Sequence, residues 1–190
     1  RLKEMIKKLT GLLIIYFFFF NQVNASVKES IILNLKSINN LSFDFEQNIS
    51  GKLEKGSCII EYPKKIYCLY KNFNKKILVS NGKNLVIKNQ TSNQYYIYPI
   101  EKTPLNLILD KDYLLRSINK IKADLVDEKF YRFKFQEGDY EINIFFDRKN
   151  LNLIGWQNID IYQNLVITYL FNIEKNIVVK KNQFKLPQQN

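Results

Sequence analysis

The sequence predicts a mainly β domain: an antiparallel meander of about eleven strands, preceded by a short helix and interrupted once by a helical segment. Three observations predict it. From Leu41 onward, apolar residues alternate with Lys, Asn and Glu at a period of two. Connections are short and marked by turn residues, so consecutive strands pair with one another. The alternation lapses over Thr103–Ile118, TPLNLILDKDYLLRSI, where apolar spacing becomes helical. So many strands must curl or close, and a single helical insert is placed to cover one face of the curved sheet.

The elements follow in order. Met5-Ile6-Lys7-Lys8 gives a basic start, Leu9–Phe20 an apolar run, and Val23-Asn24-Ala25 a small-x-Ala site, which together read as a secretory leader over residues 1–25 cleaved before Ser26. The run is shorter than the about 20 residues a bilayer span needs. Met5, rather than Arg1, is a candidate start. Ser26-Val27-Lys28-Glu29 is a capping box, and Val27, Ile31, Leu35 and Ile38 continue it as an amphipathic helix. Leu41, Phe43, Phe45 and Ile49 share one strand face, with Ser42, Asp44, Glu46 and Asn48 on the other. Ser50-Gly51 turns into a strand ending near Tyr62, and Pro63-Lys64 turns into Ile66–Tyr70. Ile77–Ser80 and Lys83–Lys88 flank Asn81-Gly82, a strong hairpin signal, and Gln94–Tyr98 follows. After the insert come Ile121–Val126, Phe130–Gln136, Tyr140–Asp147, Leu151–Ile161, Leu165–Ile173 and Ile177–Lys180, with Phe184–Leu186 as a last extended piece.

Within the insert, Thr103 can cap, Pro104 suits the first helical position, and Leu105, Ile108 and Leu109 share a face. Asp110 or Asp112 can cap a second turn carrying Leu114, Leu115 and Ile118. Two readings stand side by side: a crossover helix permanently plugging one end of the barrel, or a mobile lid over a binding cavity.

Residues 26–190 would form one domain of 190 − 25 = 165 residues, enough to bury about 70% of the unfolded surface. The net charge of +11 falls to about +8 without the leader, which carries Arg1, Lys3, Lys7 and Lys8 against Glu4. Export argues against nucleic acid, leaving solubility, protected strand edges and docking on an anionic partner. Cys58 and Cys68 flank Pro63 symmetrically, so a turn at 62–64 sets them opposite each other. In an exported chain, a structural disulfide is expected over two free thiols, and no C-x-x-C suggests redox work.

Much chemistry is missing. With no histidine, Ser-His-Asp and Cys-His arrangements and the usual zinc sites are gone. The six glycines are scattered at turns, with no phosphate-binding loop. Asp44/Glu46 and Asp139/Glu141 lie on polar strand faces and read as solvated surface, and Asp147 and Asp160 sit near turns. No catalytic residue, metal site or cofactor is expected. What remains is aromatic: 14 Phe, 12 Tyr and one Trp, rigid rings that either fill a plain core or hold a cavity open.

Several segments carry a resemblance. Phe45-Glu46-Gln47 fits F-x-Q; Gly56, Pro63 and Ile66–Tyr70 (IYCLY) fit a G…P…W-x-Y hairpin. Leu78–Lys83 fits v-x-D-G-k, and Thr103-Pro104-Leu105 running to Leu109 fits T-P-l…L. Asp147, Asp160 and a turn near Asn164 fit the later strands, and Asn182, Phe184 and Pro187 the closing F-x-x-P. In order and spacing the chain resembles the LolA family, periplasmic carriers of outer-membrane lipoproteins. The resemblance implies an incomplete antiparallel β-barrel with an N-terminal helix and a helical lid. It implies a periplasmic monomer that shields the acyl chains of lipoproteins in an apolar cavity. The cargo would come from an inner-membrane lipoprotein-releasing transporter and go to an outer-membrane lipoprotein receptor, with no cofactor and no covalent step. On strand parity, Phe43, Phe45, Leu53, Ile60 and Ile66 would line the cavity, and Leu105, Ile108 and Leu109 the lid. The family's Arg before the hairpin proline, which holds the lid, is Tyr62 here, a candidate latch through its hydroxyl. Rival readings are a receptor of the LolB kind, which needs an acylated Cys after the leader where Ser26 stands, an envelope sensor of lipids or lipoproteins, and a carboxylate hydrolase.

Overall fold

The computed structural model describes residues 26–71, 75–92, 94–138, 140–160 and 162–189; the expected leader and its cleavage site lie outside them. Helix α1, Val27–Lys36, starts on the capping box: the Glu29 amide donates to Ser26 Oγ at 3.2 Å, and the Ser26 amide to the Glu29 carboxylate at 2.8 Å. Ile31 and Leu35 are buried, whereas Val27 is 40% exposed, so the stripe is narrower than its spacing suggested.

Eleven strands follow: β1 Asn40–Ile49, β2 Lys52–Glu61, β3 Lys65–Tyr70, β4 Lys76–Asn81, β5 Asn84–Asn89, β6 Tyr95–Pro99, β7 Asp124–Val126, β8 Phe130–Glu137, β9 Tyr140–Asp147, β10 Leu153–Ile159 and β11 Leu165–Lys175. They form one antiparallel sheet in the order β6-β5-β4-β3-β2-β1-β11-β10-β9-β8-β7. Each half is a meander, and the last strand returns to lie beside the first. The sheet does not close, and β6 and β7 are its edges. Twist curls a sheet of this size. A bulge adds to it where β1 meets β11: Ser42 pairs Glu174 and Asp44 pairs Phe171, with Asn172 in the left-handed region (φ 51°) donating to Asp44 Oδ2.

The helices lie between β6 and β7 in the chain: a 3-10 turn at Ile100–Lys102, α2 at Leu105–Leu109 and α3 at Lys111–Lys120. Thr103 does not cap α2. Its hydroxyl donates to the Ile100 carbonyl at 2.8 Å and closes the preceding turn. Asp110 caps α3 by accepting from the Tyr113 amide at 2.9 Å. Ile108, Leu109, Leu114 and Ile118 join Ile31 and Leu35 of α1 and Leu41, Ile60, Phe133, Ile144 and Phe146 of the sheet in one core.

Ile177–Lys180 and Phe184–Leu186 are not strands. Both neighbours of β11 are taken, by β1 and β10, so there is no ladder for Ile177–Lys180 to join. The Asn40 side chain brackets Ile177 instead, with bonds of 3.1 and 2.8 Å. The tail then runs to the other side of the sheet: Phe184 is buried beside Lys65, and Lys88 donates to the Gln188 carbonyl at 2.8 Å. Val79 and Val86 are buried yet outside the main core, on the strand face they share with Lys65 and Lys88.

Candidate functional site

Strand parity sends Phe43 and Phe45 of β1, Ile66 and Cys68 of β3, Leu78 of β4 and Leu85 and Ile87 of β5 to the concave face, where they wall a cavity of about 250 Å³. Trp156 and Val166 form the far wall, Pro104 and Leu105 the roof beside α2, and Tyr98 and Tyr162 stand at the rim. The rings lock edge to face: Phe43 and Trp156 have centroids 6.3 Å apart, Phe45 and Tyr70 5.0 Å. Gly56 lies directly opposite Phe45. A Cβ there would fall 2.6 Å from Phe45 Cε1 and 2.2 Å from the Leu69 carbonyl oxygen, so the glycine is what lets the ring lie across β2.

One row of the inner face is polar. Glu54 on β2, Gln47 on β1 and Thr168 on β11 stand directly opposite one another. Gln47 Nε2 donates to Thr168 Oγ1 at 2.8 Å. From β4, the Lys76 ammonium donates to the Glu54 carboxylate and sits 3.8 Å from the Tyr70 ring centroid. Glu54 is 6% exposed and Thr168 3%. Burial pulls the Lys76 pKa down while Glu54 holds it up, and burial followed by the nearby Glu54 charge pushes the Tyr70 phenol up. Among the described residues, no group of three His, Cys, Asp or Glu could hold a metal ion.

The residues expected from sequence divide into three sets. Phe43, Phe45, Ile66 and Leu105 line the cavity. Cys58 and Cys68, directly paired and disulfide-bonded, add their sulfurs to the same wall. Ile60, Ile108 and Leu109 are at 0–1% exposure in the packed core and do not line it. Leu53 is on the opposite face, 52% exposed. It lies seven residues from Ile60 on one unbulged strand, and an odd separation puts two side chains on opposite faces. Glu54 takes the inward place.

Tyr62 does not latch the insert through its hydroxyl. That oxygen is buried without a hydrogen-bond partner, and burial pushes the phenol pKa up. The Tyr62 ring instead lies 5.6 Å from the Lys111 ammonium of α3, and a further tie is made by Lys64, on the far side of Pro63. Its amide donates to the Leu109 carbonyl at 2.8 Å, and its ammonium lies 3.5 Å from Asp110 and 3.8 Å from Glu101. Ser80 Oγ donates to the Lys64 carbonyl at 2.8 Å and fixes the turn. Lys64 was not foreseen. Its sequence signal is a place next to a hairpin proline, with one acidic residue just before the insert and another within it.

A crystal structure of an uncharacterized conserved protein from Thermus thermophilus superposes with a TM-score of 0.51 at 7% identity, covering 85% of this chain and 94% of that one. The LolA superfamily protein NE2245 from Nitrosomonas europaea gives 0.45 at 7%, covering 85% and 99%. The Pseudomonas aeruginosa MucA/MucB complex gives 0.47 at 11%, covering 87% and 62%. No curated protein matches in sequence. The family described as "Outer membrane lipoprotein carrier protein LolA" matches residues 36–187. On that match, and with an open eleven-stranded sheet and three short helices among the described residues, the chain belongs to the LolA family.

Proposed function

We propose that this protein is a periplasmic carrier that shields lipoprotein acyl chains on the concave face of its open sheet and moves them from the inner to the outer membrane. Its partners on this reading are an inner-membrane releasing transporter and an outer-membrane receptor, and it works as a monomer without cofactor or covalent chemistry. The observation that carries the reading is the cavity itself. It is walled by Phe43, Phe45, Leu78 and Trp156, roofed by Leu105, and left open at the rim.

Its lining supports the reading. Each acyl methylene buried against these apolar side chains contributes about 0.8 kcal/mol, and a cavity open at the rim covers only part of a chain, so the cargo can be passed on. Cargo with more chains needs the insert displaced, which the core packing of Ile108, Leu109, Leu114 and Ile118 restrains together with Lys64.

The test is displacement of an apolar dye from purified protein. An acylated lipoprotein should compete and its unacylated form should not. No dye binding, or equal competition by both forms, refutes the reading.

A further inference from the structure

A sheet that does not close leaves a row of backbone donors and acceptors at each edge. The two edges here differ. β7 is three residues long and carries a charge, Asp124, paired with Arg132 of β8 at 2.8 Å. β6 has five residues, none of them charged, and Tyr95, Tyr96, Ile97 and Tyr98 are all strong strand formers. Its pairing with β5 shows which backbone groups are free. The Asn89 amide donates to the Gln94 carbonyl at one end, and the Ile100 amide to the Lys83 carbonyl at the other, each at 2.9 Å. The register between them is unbroken. Hydrogen-bonded pairs alternate along an antiparallel ladder, so Tyr96 and Tyr98 turn their amides and carbonyls to β5, while Tyr95 and Ile97 turn theirs outward. Pro99 shares the outward parity and has no amide to leave unpaired. Among the described residues, nothing bonds to the outward groups of Tyr95 and Ile97. Tyr96, on the concave face, is 45% exposed, and Ile97, on the convex face, 53%, so both faces of the strand are uncovered.

This edge is continuous with the cavity. Tyr98 lies opposite Leu85 on the concave face, and both residues line the cavity, Tyr98 at its rim. Resting on the acyl-carrier reading, we propose that β6 binds the polypeptide of the cargo: the extended segment that follows the acylated N-terminal residue adds to the sheet as one more strand, antiparallel to β6. The antiparallel direction follows from the place of the rim. A peptide that starts beside Pro99 and Tyr98 has its acyl group over the cavity mouth and runs away towards Tyr95. The parallel direction would leave the acyl group at the far end of the strand. The amides and carbonyls of Tyr95 and Ile97 pair with alternate residues of the peptide, and the outward Pro99 carbonyl accepts a further bond. Main-chain pairing of this kind supplies affinity without reading side chains. One carrier can then take cargoes of different sequence, provided the segment is extended and has no proline where an amide must donate.

The experiment is dye displacement with monodecanoyl glycerol, an N-decanoyl hexapeptide amide of Ala, Ser and Thr, and the same peptide N-methylated on alternate amides in each of the two phases. Each backbone bond gains little and ordering the peptide offsets part of it, so the decanoyl peptide should displace the dye at about tenfold lower concentration than monodecanoyl glycerol. Methylation in one phase should abolish that gain and methylation in the other should leave it, because only alternate amides face β6. Ile97→Pro removes an outward donor and no bond of the β5 ladder. It should weaken the decanoyl peptide several-fold and leave monodecanoyl glycerol within twofold. A decanoyl peptide no better than the ester overturns the proposal, as does a gain that both methylated peptides keep or both lose. Sedimentation showing a wild-type dimer that Ile97→Pro converts to monomer also overturns it, by giving the edge to a second copy of the chain. If dye binds and neither ester nor peptide competes, the acyl-carrier reading itself has failed.

Discussion

Leu105 and Ile108 sit three residues apart in the same short helix, yet the structure gives them different work. Leu105 is half-buried and faces the cavity, whereas Ile108 is 1% exposed in the core with Leu109 and Leu114. Ile108→Ala removes fully buried methyl groups that the surroundings cannot refill, at a cost of about 2–5 kcal/mol. Leu105→Asp loses about half of a leucine's burial, about 1 kcal/mol, and places a charge on the roof of an apolar cavity. Against a total stability of about 5–15 kcal/mol, the first is a large loss and the second a small one. Urea denaturation and dye titration on both variants separate the effects. Ile108→Ala should shift the urea midpoint strongly while still binding dye in the absence of urea. Leu105→Asp should shift the midpoint little and lose most dye binding. A Leu105→Asp protein as destabilised as Ile108→Ala, or one binding dye normally, would show that the roof has been misplaced.

Other substitutions probe the frame. Gly56→Ala brings a methyl against backbone and the Phe45 ring, and should cost about 1–3 kcal/mol in urea unfolding while weakening dye binding. Reducing the Cys58–Cys68 disulfide, which closes a loop of sequence separation 10, should cost about 3 kcal/mol, read as a lower urea midpoint in reductant. Asp44, half-buried on the convex face, has its pKa lowered first by its bond from Ser57 and then by Asn172. A carboxylate with a depressed folded pKa contributes stability above its ordinary titration, near about 3.9, and loses it as pH falls through the folded value. Ser57→Ala should therefore flatten the decline in stability below pH 4, and a decline as steep as in the wild type contradicts the assignment.

The strands were legible because one face is buried and the other wet, which makes period-two alternation a consequence of the fold. The capping box at Ser26 and the Asn81-Gly82 turn worked for the same local reason, since their chemistry lies within four residues. The misreadings arose where the outcome depends on distant partners. Leu53 looked like a wall residue because it is apolar, yet one β2 register cannot turn both it and Ile60 inward, and the ion pair with Lys76 brings Glu54 in. Ile177–Lys180 alternates like a strand, but pairing depends on a free edge, and β11 has none. The contacts of Lys64 with the insert were not legible because Asp110 and Glu101 approach that turn only after the insert has packed, and Tyr62 meets Lys111 of α3 through its ring rather than its hydroxyl. The polar row across Glu54, Gln47 and Thr168 needs the β2-β1-β11 order, which no local pattern shows.

Trp156 is the single tryptophan of the chain, 4% exposed and packed against Phe43 in the cavity wall. Its fluorescence therefore reports on whether an acyl chain enters. A decanoyl ester brominated near the end of its chain should quench Trp156 to saturation, and an acylated lipoprotein should reverse the quenching. Binding of that ester with unchanged Trp156 emission would place the chain somewhere other than the concave cavity and contradict the account.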